Sequence, residues 1–453
     1  MTTGPATAGS GGTSPAGATP AGAPAPGGRA GAGPGTAPGA VPGPRGSAAL
    51  SAHVYRGAAE FAALADEWDA LFARCRTATP FQSHAWLHSW WLSYGTPGRL
   101  RIAAVRGDGG RLLALAPLTL TYRPFPVLVP LGGAITDFCD VLLDDAWADQ
   151  AAVTLGELLG DLARGAVIDL REVRPGAAAE RIFAQWQGPR RQLTDSLCLE
   201  LPGAPVADLV GRLPSLTGQR VRAKLRKADK LGIAAHHVPE DEVPAAIGRL
   251  IELHGRQWAG RGVNPEHLSA RFGEHLIRAV RAMTARGQAR VTEFHLDGDL
   301  VVSDLTLISP RLSGGYLYGA EPALRDRKVD VSAILLRNSA EHFGPGTPED
   351  AALSMLRGTE AYKSHWRPEP VRNKRLLLAR PALRPALVVL VARAAARRAA
   401  ARAVKRWRAR GTSPATAVGS STPAGTAPAR GRGRGRGGDG AEGARGGGDA
   451  GRE

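Results

Sequence analysis

The segment LRGTEAYKSHW, residues 356–366, places a carboxylate, a phenol and an ammonium group within four positions. Glu360 has the chemistry of a general base, Tyr362 that of a proton donor, and Lys363 that of a ligand for phosphate or carboxylate. The same residues fit a structural role, in which Gly358 ends a strand, the aromatic rings pack and the charges face water. Both interpretations predict that this segment completes the last well-patterned part of the chain.

A second set of candidates lies on predicted strands. Because side chains alternate along a strand, Asp304 in SDLTLIS projects from one face, and Tyr316 and Tyr318 share a face of the following strand. These side chains are expected to line a central cleft. The catalytic candidates are Glu360, Tyr362, Tyr318 and Asp304.

A basic turn precedes the predicted helix VSAILLRNSAEHFG, which begins near Asp330. Backbone N–H groups at a helix N-terminus bind phosphate, because the helix dipole and free donors coincide there. The alternative is a solvated basic turn in which Asp330 is the helix N-cap. The candidates for binding a polyanionic donor are Arg325, Arg327, Lys328, Val331 and Ser332.

Residues 220–230 form a predicted basic helix whose apolar stripe is Val221, Leu225 and Ala228. Such a charge run is typical of a solvated face, and it is also a candidate surface for an anionic substrate. A later predicted helix has Trp258 on its apolar side. The candidates for substrate binding are Arg222, Arg226, Trp258 and Lys363.

The sequence lacks the motifs of several other enzyme classes and of metal sites. His84 and His88 are four residues apart without the glutamate of HExxH, so we expect them to pack beside Trp86 and Trp90. There is no GxSxG and no Walker loop. The three cysteines are far apart with no CxxC, which favours a reducing cytoplasm and predicts neither a disulfide framework nor a metal site. No secretory signal is visible at the N-terminus.

The 453-residue chain has a patterned core between two compositionally biased ends. Residues 1–50 are almost wholly Gly, Ala, Pro, Ser and Thr, and residues 411–453 are rich in Gly and Arg, so both are predicted to be disordered. Residues 372–453 carry a net charge of +15 and the first fifty carry +2, which leaves residues 51–371 neutral. Residues 373–410 are predicted to form a basic amphipathic helical segment with Trp407 near its end. Its profile fits a helix that lies on an anionic surface, and equally a solvated, Ala-rich helical linker.

Two hairpins indicate an internal repeat. LRIAAVRGDGGRLLALAPLTL and ARVTEFHLDGDLVVSDLTLIS each predict a strand, a tight Asp-Gly turn and a second strand. Predicted helices precede both hairpins. We therefore predict a mixed α/β (α+β) fold with two similar tandem domains, residues 51–205 and 206–372. Removal of residues 373–453 is expected to leave this core folded.

The core resembles the GNAT-superfamily acyltransferases of the BioF2-like, cellulose-biosynthesis-associated (CelD/BcsL) type. The resemblance is carried by PFQSHAWLHSWWLSYG, RVRAKLRKADKLG, GGYLYGAEPALRDRK and LRGTEAYKSHW, and it covers about residues 80–367. It implies two tandem GNAT-like domains, as in the distantly similar Fem-type aminoacyl transferases. The chain departs from relatives at Ser354, where they often have an acid, and it lacks the Gly-rich pyrophosphate loop after Gly319.

The resemblance implies an N-acyltransferase that uses acetyl-CoA or another acyl-CoA and acts on an amine of a sugar or cell-envelope polysaccharide precursor. Glu360 would then be the base, and Tyr362 would protonate the departing thiolate. Two alternatives stay open, aminoacyl transfer from a charged tRNA and a non-catalytic binding protein that keeps the fold. The expected partners are a small-molecule or glycan-precursor acceptor and, for the basic tail, an anionic membrane surface or RNA. The expected location is the cytoplasm, peripheral at the inner face of the membrane.

Overall fold

A single mixed sheet of 13 strands runs through both halves of the chain in the computed structural model. The structure describes residues 49–411 with the exception of 123, 261–263 and 359. Side chains are not described for residues 361 and 405–411. Residues 1–48 and 412–453 of the two tails predicted to be disordered, and the side chain of Trp407, therefore lie outside the described residues.

The first repeat consists of seven strands and five helices. In chain order these are β1 (Ser51–Tyr55), α1 (Ala58–Ala63), α2 (Ala65–Ala73), α3 (His84–Tyr94), β2 (Leu100–Arg106), β3 (Leu112–Tyr122), β4 (Pro126–Pro130), β5 (Leu142–Leu143), α4 (Ala148–Leu162), β6 (Val167–Val173), α5 (Ala179–Gln185) and β7 (Arg190–Pro202).

The second repeat begins with two helices and is followed by a long C-terminal helix. Its elements are α6 (Val206–Gly211), α7 (Ser215–Lys230), β8 (Ala234–His237), α8 (Val243–Trp258), α9 (Ala270–Thr284), β9 (Ala289–Leu296), β10 (Asp299–Ser309), β11 (Leu312–Ala320), α10 (Val331–Ala340), β12 (Ala352–Arg357), α11 (Ala361–Ser364), β13 (Glu369–Leu378) and α12 (Arg384–Gly411).

The two repeats have the same strand connections and exchange their last strands. β4 pairs in parallel with β6, and β11 pairs in parallel with β12, in each case over two residue pairs. The last strand of the first repeat, β7, pairs antiparallel with β12, whereas β13 lies between β6 and β7. The sheet order is β1-β2-β3-β4-β6-β13-β7-β12-β11-β10-β9-β8, and the thirteenth strand, β5, pairs with β3 outside this order. This reciprocal arrangement confirms the prediction of two similar domains in tandem.

Both predicted hairpins are present and turn at the predicted Asp-Gly pairs. β2 pairs antiparallel with β3, and β9 pairs antiparallel with β10. In the second hairpin Asp297 and Gly298 both have positive φ, 57° and 89°. That conformation matches the right-handed twist of the flanking strands, and Asp-Gly adopts it at low cost.

The prediction of a helical segment over residues 373–410 is wrong at its beginning. β13 continues to Leu378, and α12 begins only at Arg384. The basic side chains that suggested a solvated tail are partly internal, since Arg375 is 6 % exposed and donates two hydrogen bonds to Asp169, at 2.6 and 2.7 Å. Strand β13 is therefore a central part of the sheet, and the expected end of the core at residue 372 cuts through it.

The helices α3, α8 and α9 cover one face of the sheet and bury the residues predicted from helical spacing. Leu250 and Leu253 of α8 and Phe272 and Leu276 of α9 are at most 1 % exposed. The histidines of α3 are also packed, because the rings of His84 and His88 stack with centroids 5.1 Å apart beside Phe61. Within residues 49–411, apart from the gaps given above, no helix is both long and apolar enough to cross a membrane.

Candidate active site

The candidate site lies where β11 and β12 separate. The two strands are paired only at Leu312–Ala352 and Ser313–Leu353. A bulge at Tyr316 then displaces β11, because Leu305 opposes Leu317 whereas Thr306 opposes Gly315. The separation leaves a cavity of about 70 Å³ between β10, β11, β12, α10 and α11.

Five sequence candidates line this cavity, namely Asp304, Tyr318, Ser332, Tyr362 and Lys363. Tyr316 does not join them, so the expectation that it shares a face with Tyr318 is wrong. The bulge breaks the alternation, and the hydroxyl of Tyr316 instead donates to the carbonyl of Ile135 in the first repeat, at 2.8 Å. Of the two tyrosines in GGYLYG, only Tyr318 therefore lines the cavity.

Asp304 is a buried carboxyl group on the floor of the cavity, 1 % exposed. Burial raises its pKa to about 6, while hydrogen bonds from Asn338 and Thr306 and the charge of Arg290 act in the opposite direction. A carboxyl group with a pKa near 6 exchanges a proton readily close to neutral pH. Asp304 therefore has the protonation behaviour required of a general base.

The hydrogen bonds around Asp304 orient its carboxylate. Asn338 Nδ2 and Thr306 Oγ1 both donate to Oδ2, at 2.8 and 3.0 Å. Thr292 Oγ1 in turn donates to Asn338 Oδ1 at 3.1 Å, which fixes the orientation of the amide. The other carboxylate oxygen, Oδ1, lies beside Gly315, where a Cβ atom would come within 3.5 Å of it. The glycine thus leaves room next to Oδ1.

Tyr318 and Tyr362 stand on the walls of the cavity. Tyr318 lies directly opposite Asp304 in the antiparallel pair β10–β11. Burial raises the pKa of the Tyr362 hydroxyl, and the nearby groups of Tyr318, Glu360 and Asp304 add to this effect. Tyr362 is therefore a neutral phenol at physiological pH and is able to donate a proton.

Glu360 and Lys363 form an ion pair at the rim. Lys363 is 5 % exposed, and its Nζ lies 2.8 Å from Glu360 Oε2 and donates to the carbonyl of Arg357 at 3.0 Å. Glu360 is exposed and occupies the N-cap position of the short helix α11 without a side-chain capping hydrogen bond, and it does not line the cavity. Gly358, with φ of 111°, makes the turn between β12 and this pair.

A larger groove of about 440 Å³ adjoins the cavity at the beginning of α10. Tyr318 lines both spaces, and the donor-binding candidates Arg325, Lys328 and Val331 line the groove. Arg327 instead forms an exposed ion pair with Asp297 at 3.3 Å. The groove therefore combines two cationic side chains with a helix N-terminus.

Asp330 is the N-cap of α10. Its Oδ1 accepts hydrogen bonds from the backbone N–H of Ala333 and from Ser332 Oγ, and its Oδ2 lies 2.6 Å from Lys224 Nζ. The lysine and the N-cap contacts hold the pKa of Asp330 below its usual value, against the effect of burial. Glu321, which also lines the groove, is paired with Arg256 at 2.7 Å. Both carboxylates of the groove are thus balanced by cations outside its lining, and the charge of Arg325 and Lys328 is in excess.

The remaining substrate-binding candidates lie outside both spaces. Arg222 and Arg226 are exposed on α7, whose stripe of Val221, Leu225 and Ala228 is buried as predicted. Trp258 is the last residue of α8, next to Gln257, which lines the groove. Arg222, Arg226 and Trp258 therefore do not line the cavity between β11 and β12.

Ser354 stands at the position where the resemblance to BioF2-like proteins implies an acidic residue. Its side chain is 1 % exposed, lines the cavity and accepts a hydrogen bond from the backbone N–H of Leu356 at 3.1 Å. In this chain the carboxylate of the cavity comes from β10 and not from β12.

The residues that support Asp304 were missed from the sequence. Asn338 and Ser339 are polar residues on the buried side of α10, and Thr292 lies on β9. In the sequence they appear only as polar residues within an otherwise apolar pattern. Such residues are also common in protein cores, where buried polar groups make hydrogen bonds.

The first repeat has no carboxylate on the strand that corresponds to β10, the strand of Asp304. Its strand β3, LLALAPLTLTY, holds the hairpin position of β10 and contains no carboxylate. The acid–base candidates therefore belong to the second repeat.

Comparison with known proteins agrees with the placement of the acid–base candidates in the second repeat. Residues 217–364 match the family described as acetyltransferase (GNAT) domain. The match extends from α7 to α11 and includes the cavity and the groove. The second repeat is thus similar in sequence to GNAT acetyltransferase domains, and the predicted GNAT fold is confirmed. The narrower resemblance to BioF2-like proteins stays a prediction.

Solved structures with a similar chain course are distant in sequence. They include a conserved protein of unknown function from Bacteroides thetaiotaomicron (13 % identity, 70 % of this chain and 97 % of that chain, TM-score 0.49). FemX (12 %, 69 % and 95 %, 0.49) and L-PGS from Bacillus licheniformis (11 %, 72 % and 96 %, 0.43) are further examples. No curated protein matches the chain. At such identities and TM-scores, these neighbours carry no conclusion about the reaction.

Proposed function

We propose that the second repeat transfers the acyl group of acetyl-CoA or another acyl-CoA to an amine. The observation that carries this proposal is the position of Asp304, a buried carboxyl with a pKa of about 6, in a cavity that shares Tyr318 with a basic groove. The groove suits the phosphates of the donor, because Arg325 and Lys328 line it at the beginning of α10. The cavity would then hold the thioester.

In this mechanism the amine nitrogen attacks the thioester carbonyl carbon, a C–N bond forms and the C–S bond breaks. Asp304 Oδ1 accepts the proton that leaves the nitrogen, and Tyr362 donates a proton to the departing thiolate. Solvent then returns a proton to Tyr362 while Asp304 releases its own, so the net change moves one proton from the amine to the thiol. Beyond Ser313, β11 is not paired with β12 in the described sheet, so the thioester carbonyl would lie in the space that opens between these two strands. Glu360 is a weaker candidate for the base, because its carboxylate is paired with Lys363 outside the cavity.

The acceptor class is assigned from the resemblance to the BioF2-like proteins. It is an amine on a sugar or a cell-envelope precursor, met in the cytoplasm. The reaction requires only that the amine reach Asp304 in its uncharged form.

A second donor deserves a direct test, because α7 presents exposed basic residues beside the groove. Lys224 of α7 contacts Asp330, which lines the groove, and Arg222 and Arg226 are exposed on the same helix. Such a surface suits the phosphates of a tRNA. Aminoacyl-tRNA is therefore the alternative donor.

Calorimetric titration with acetyl-CoA and longer acyl-CoA thioesters tests the proposal. We expect binding that is weakened at least tenfold by the double substitution Arg325→Glu and Lys328→Glu, and not by Arg212→Glu, since Arg212 directly follows α6 and does not line the groove. Turnover with an amine acceptor should require Asp304. Absence of binding to any CoA thioester, together with turnover of aminoacyl-tRNA, would establish the alternative donor. Binding without turnover of either donor would favour the non-catalytic interpretation.

A further inference from the structure

The helix α12 is fixed to the first repeat by one narrow side. Leu387, Leu390 and Ala394 are 3, 7 and 6 % exposed. The two leucines belong to a buried cluster with Val127, Val167 and Leu377 at the ends of β4, β6 and β13. These contacts determine which side of α12 faces away from the protein.

The opposite side of α12 is apolar and exposed. At 100° per residue, positions 388, 389, 392, 396, 399 and 403 fall on one stripe, opposite to Leu387 and Ala394. Val388 is 60 % exposed and Val389 is 42 % exposed. The stripe continues along the helix with small side chains, Ala392, Ala396, Ala399 and Ala403, which are all exposed.

Arginines border this stripe on both edges. By the same helical geometry, Arg384 and Arg402 lie along one edge and Arg393 lies along the other, while Arg397 lies about 40° farther round, toward the side of Leu390. All four side chains are exposed. The helix contains no acidic residue between positions 384 and 411.

We infer that α12 is a docking surface for an anionic lipid bilayer, on which it lies parallel to the membrane plane. The valine and alanine stripe would enter the boundary between headgroups and acyl chains, as the apolar side of an interfacial helix does. The flanking arginines would extend to the lipid phosphates while their methylene groups cover apolar surface. The first repeat, seated on the other side of α12, would remain in water.

The charge pattern distinguishes the bilayer from other occupants. A second copy of the chain related by a twofold axis would place arginine rows against arginine rows, with no acidic side chain on either helix to pair with them. A nucleic acid would neutralise the arginines, but it would leave the exposed valines without an apolar partner. Anionic lipid satisfies both features of the surface.

Co-sedimentation of the full-length protein with vesicles tests this inference. We expect binding to vesicles that contain phosphatidylglycerol, little binding to pure phosphatidylcholine, and release at high salt as the charges are screened. The double substitution Val388→Asp and Val389→Asp should reduce the bound fraction at least tenfold. The matched control Val153→Asp changes a valine on α4 that is 49 % exposed, and it should bind like the wild type. Arg393→Glu should weaken binding more than Arg212→Glu.

Unfolding curves of the valine variants keep the test interpretable, because both side chains are exposed and the fold should be unchanged. Vesicle binding that survives Val388→Asp and Val389→Asp would overturn the inference and assign attachment to the chain beyond α12. The inference also fails if these substitutions instead abolish a dimer in sedimentation velocity, or if the protein binds RNA but not vesicles. None of these measurements depends on the proposed acyl transfer.

Discussion

The side-chain amide of Asn338 donates to Asp304 Oδ2 at 2.8 Å, and it is this contact that gives the buried carboxylate its orientation. Thr306 occupies the same oxygen at 3.0 Å, so Oδ1 is the oxygen left toward the cavity. Burial and hydrogen bonding oppose each other at this group, and burial prevails, because the pKa remains raised at about 6. The raised pKa lowers the stability of the fold at neutral pH, and it also gives Asp304 the proton affinity that a general base needs.

Asp304→Asn should stabilise the protein at neutral pH. The raised pKa means that the folded protein binds this proton more tightly than the unfolded chain, whose carboxyl group titrates near 3.8. Ionisation therefore costs stability as pH rises from about 4 to about 6, and the cost is complete above pH 6. A difference of about two pKa units corresponds to about 3 kcal/mol in the free energy of unfolding.

Urea unfolding of the two proteins at pH 7.5 and at pH 4 measures this effect. We expect Asp304→Asn to be more stable by about 3 kcal/mol at pH 7.5 and nearly equal at pH 4. The control is Asp169→Asn, which leaves the buried guanidinium of Arg375 without its partner and should destabilise the fold. A destabilised Asp304→Asn at pH 7.5 would show that the carboxylate is favoured by the fold and is no strained catalytic base.

The pH–rate profile should have an acid limb set by Asp304. The base acts only when it is deprotonated, so kcat/KM should show an acid limb centred at about pH 6, separate from the limb that the amine acceptor adds at its own pKa. Asn338→Ala removes a hydrogen bond that lowers this pKa, so the limb should move to higher pH. Thr292→Val, which releases only the far side of the Asn338 amide, should move it in the same direction by less. A limb that stays in place in Asn338→Ala would exclude Asp304 as the group it reports.

Local sequence patterns were sufficient for the hairpins and for most helices. The Asp-Gly pairs at positions 108 and 297 determine two turns by backbone preference alone, and α8 and α9 bury the apolar positions that their spacing indicates. Asp304, Tyr318 and Tyr362 were also recognised from residue type and strand alternation, and the structure brings them to one cavity.

Non-local pairing was not accessible in the same way. Nothing in residues 369–378 states that they pair with strands nearly two hundred residues earlier, and their basic side chains suggested a solvated tail. The bulge at Tyr316 depends on the register between β10 and β11, which alternation cannot reveal. Asn338 could be recognised only once α10 was known to cover Asp304.

The ion pair between Glu360 and Lys363 should contribute to stability and not to turnover. Glu360→Gln leaves the nearly buried ammonium group of Lys363 with only part of its partners, and it should destabilise the fold by about 1–2 kcal/mol, less than a fully buried pair because Glu360 is half exposed. Lys363→Met removes the buried charge and should cost less. Tyr362→Phe should have nearly the wild-type melting temperature and a lower turnover.

Thermal unfolding and steady-state rates of these three variants separate the roles of the segment 356–366. The double variant Glu360→Gln with Lys363→Met should recover part of the stability that Glu360→Gln loses, because no unpaired charge remains. If Glu360→Gln instead lowers kcat strongly with an unchanged melting temperature, Glu360 has a catalytic role.

A chain that ends at residue 372 should fail to fold, whereas a chain that ends at residue 411 should be as stable as the full-length protein. The shorter chain loses Leu376, Leu377 and Leu378, which have no exposed surface. Each buried leucine contributes about 2 kcal/mol, so the loss is comparable to the whole stability of a typical domain. It also leaves β6 and β7 with unpaired edges inside the sheet.

Circular dichroism melting of chains ending at 372, 383 and 411 tests whether β13 is part of the folded core. The chain ending at 383 keeps β13 but not α12, so it should unfold cooperatively at a reduced melting temperature. A cooperative transition at the full-length melting temperature in the chain ending at 372 would show that β13 is dispensable and that the core does end there.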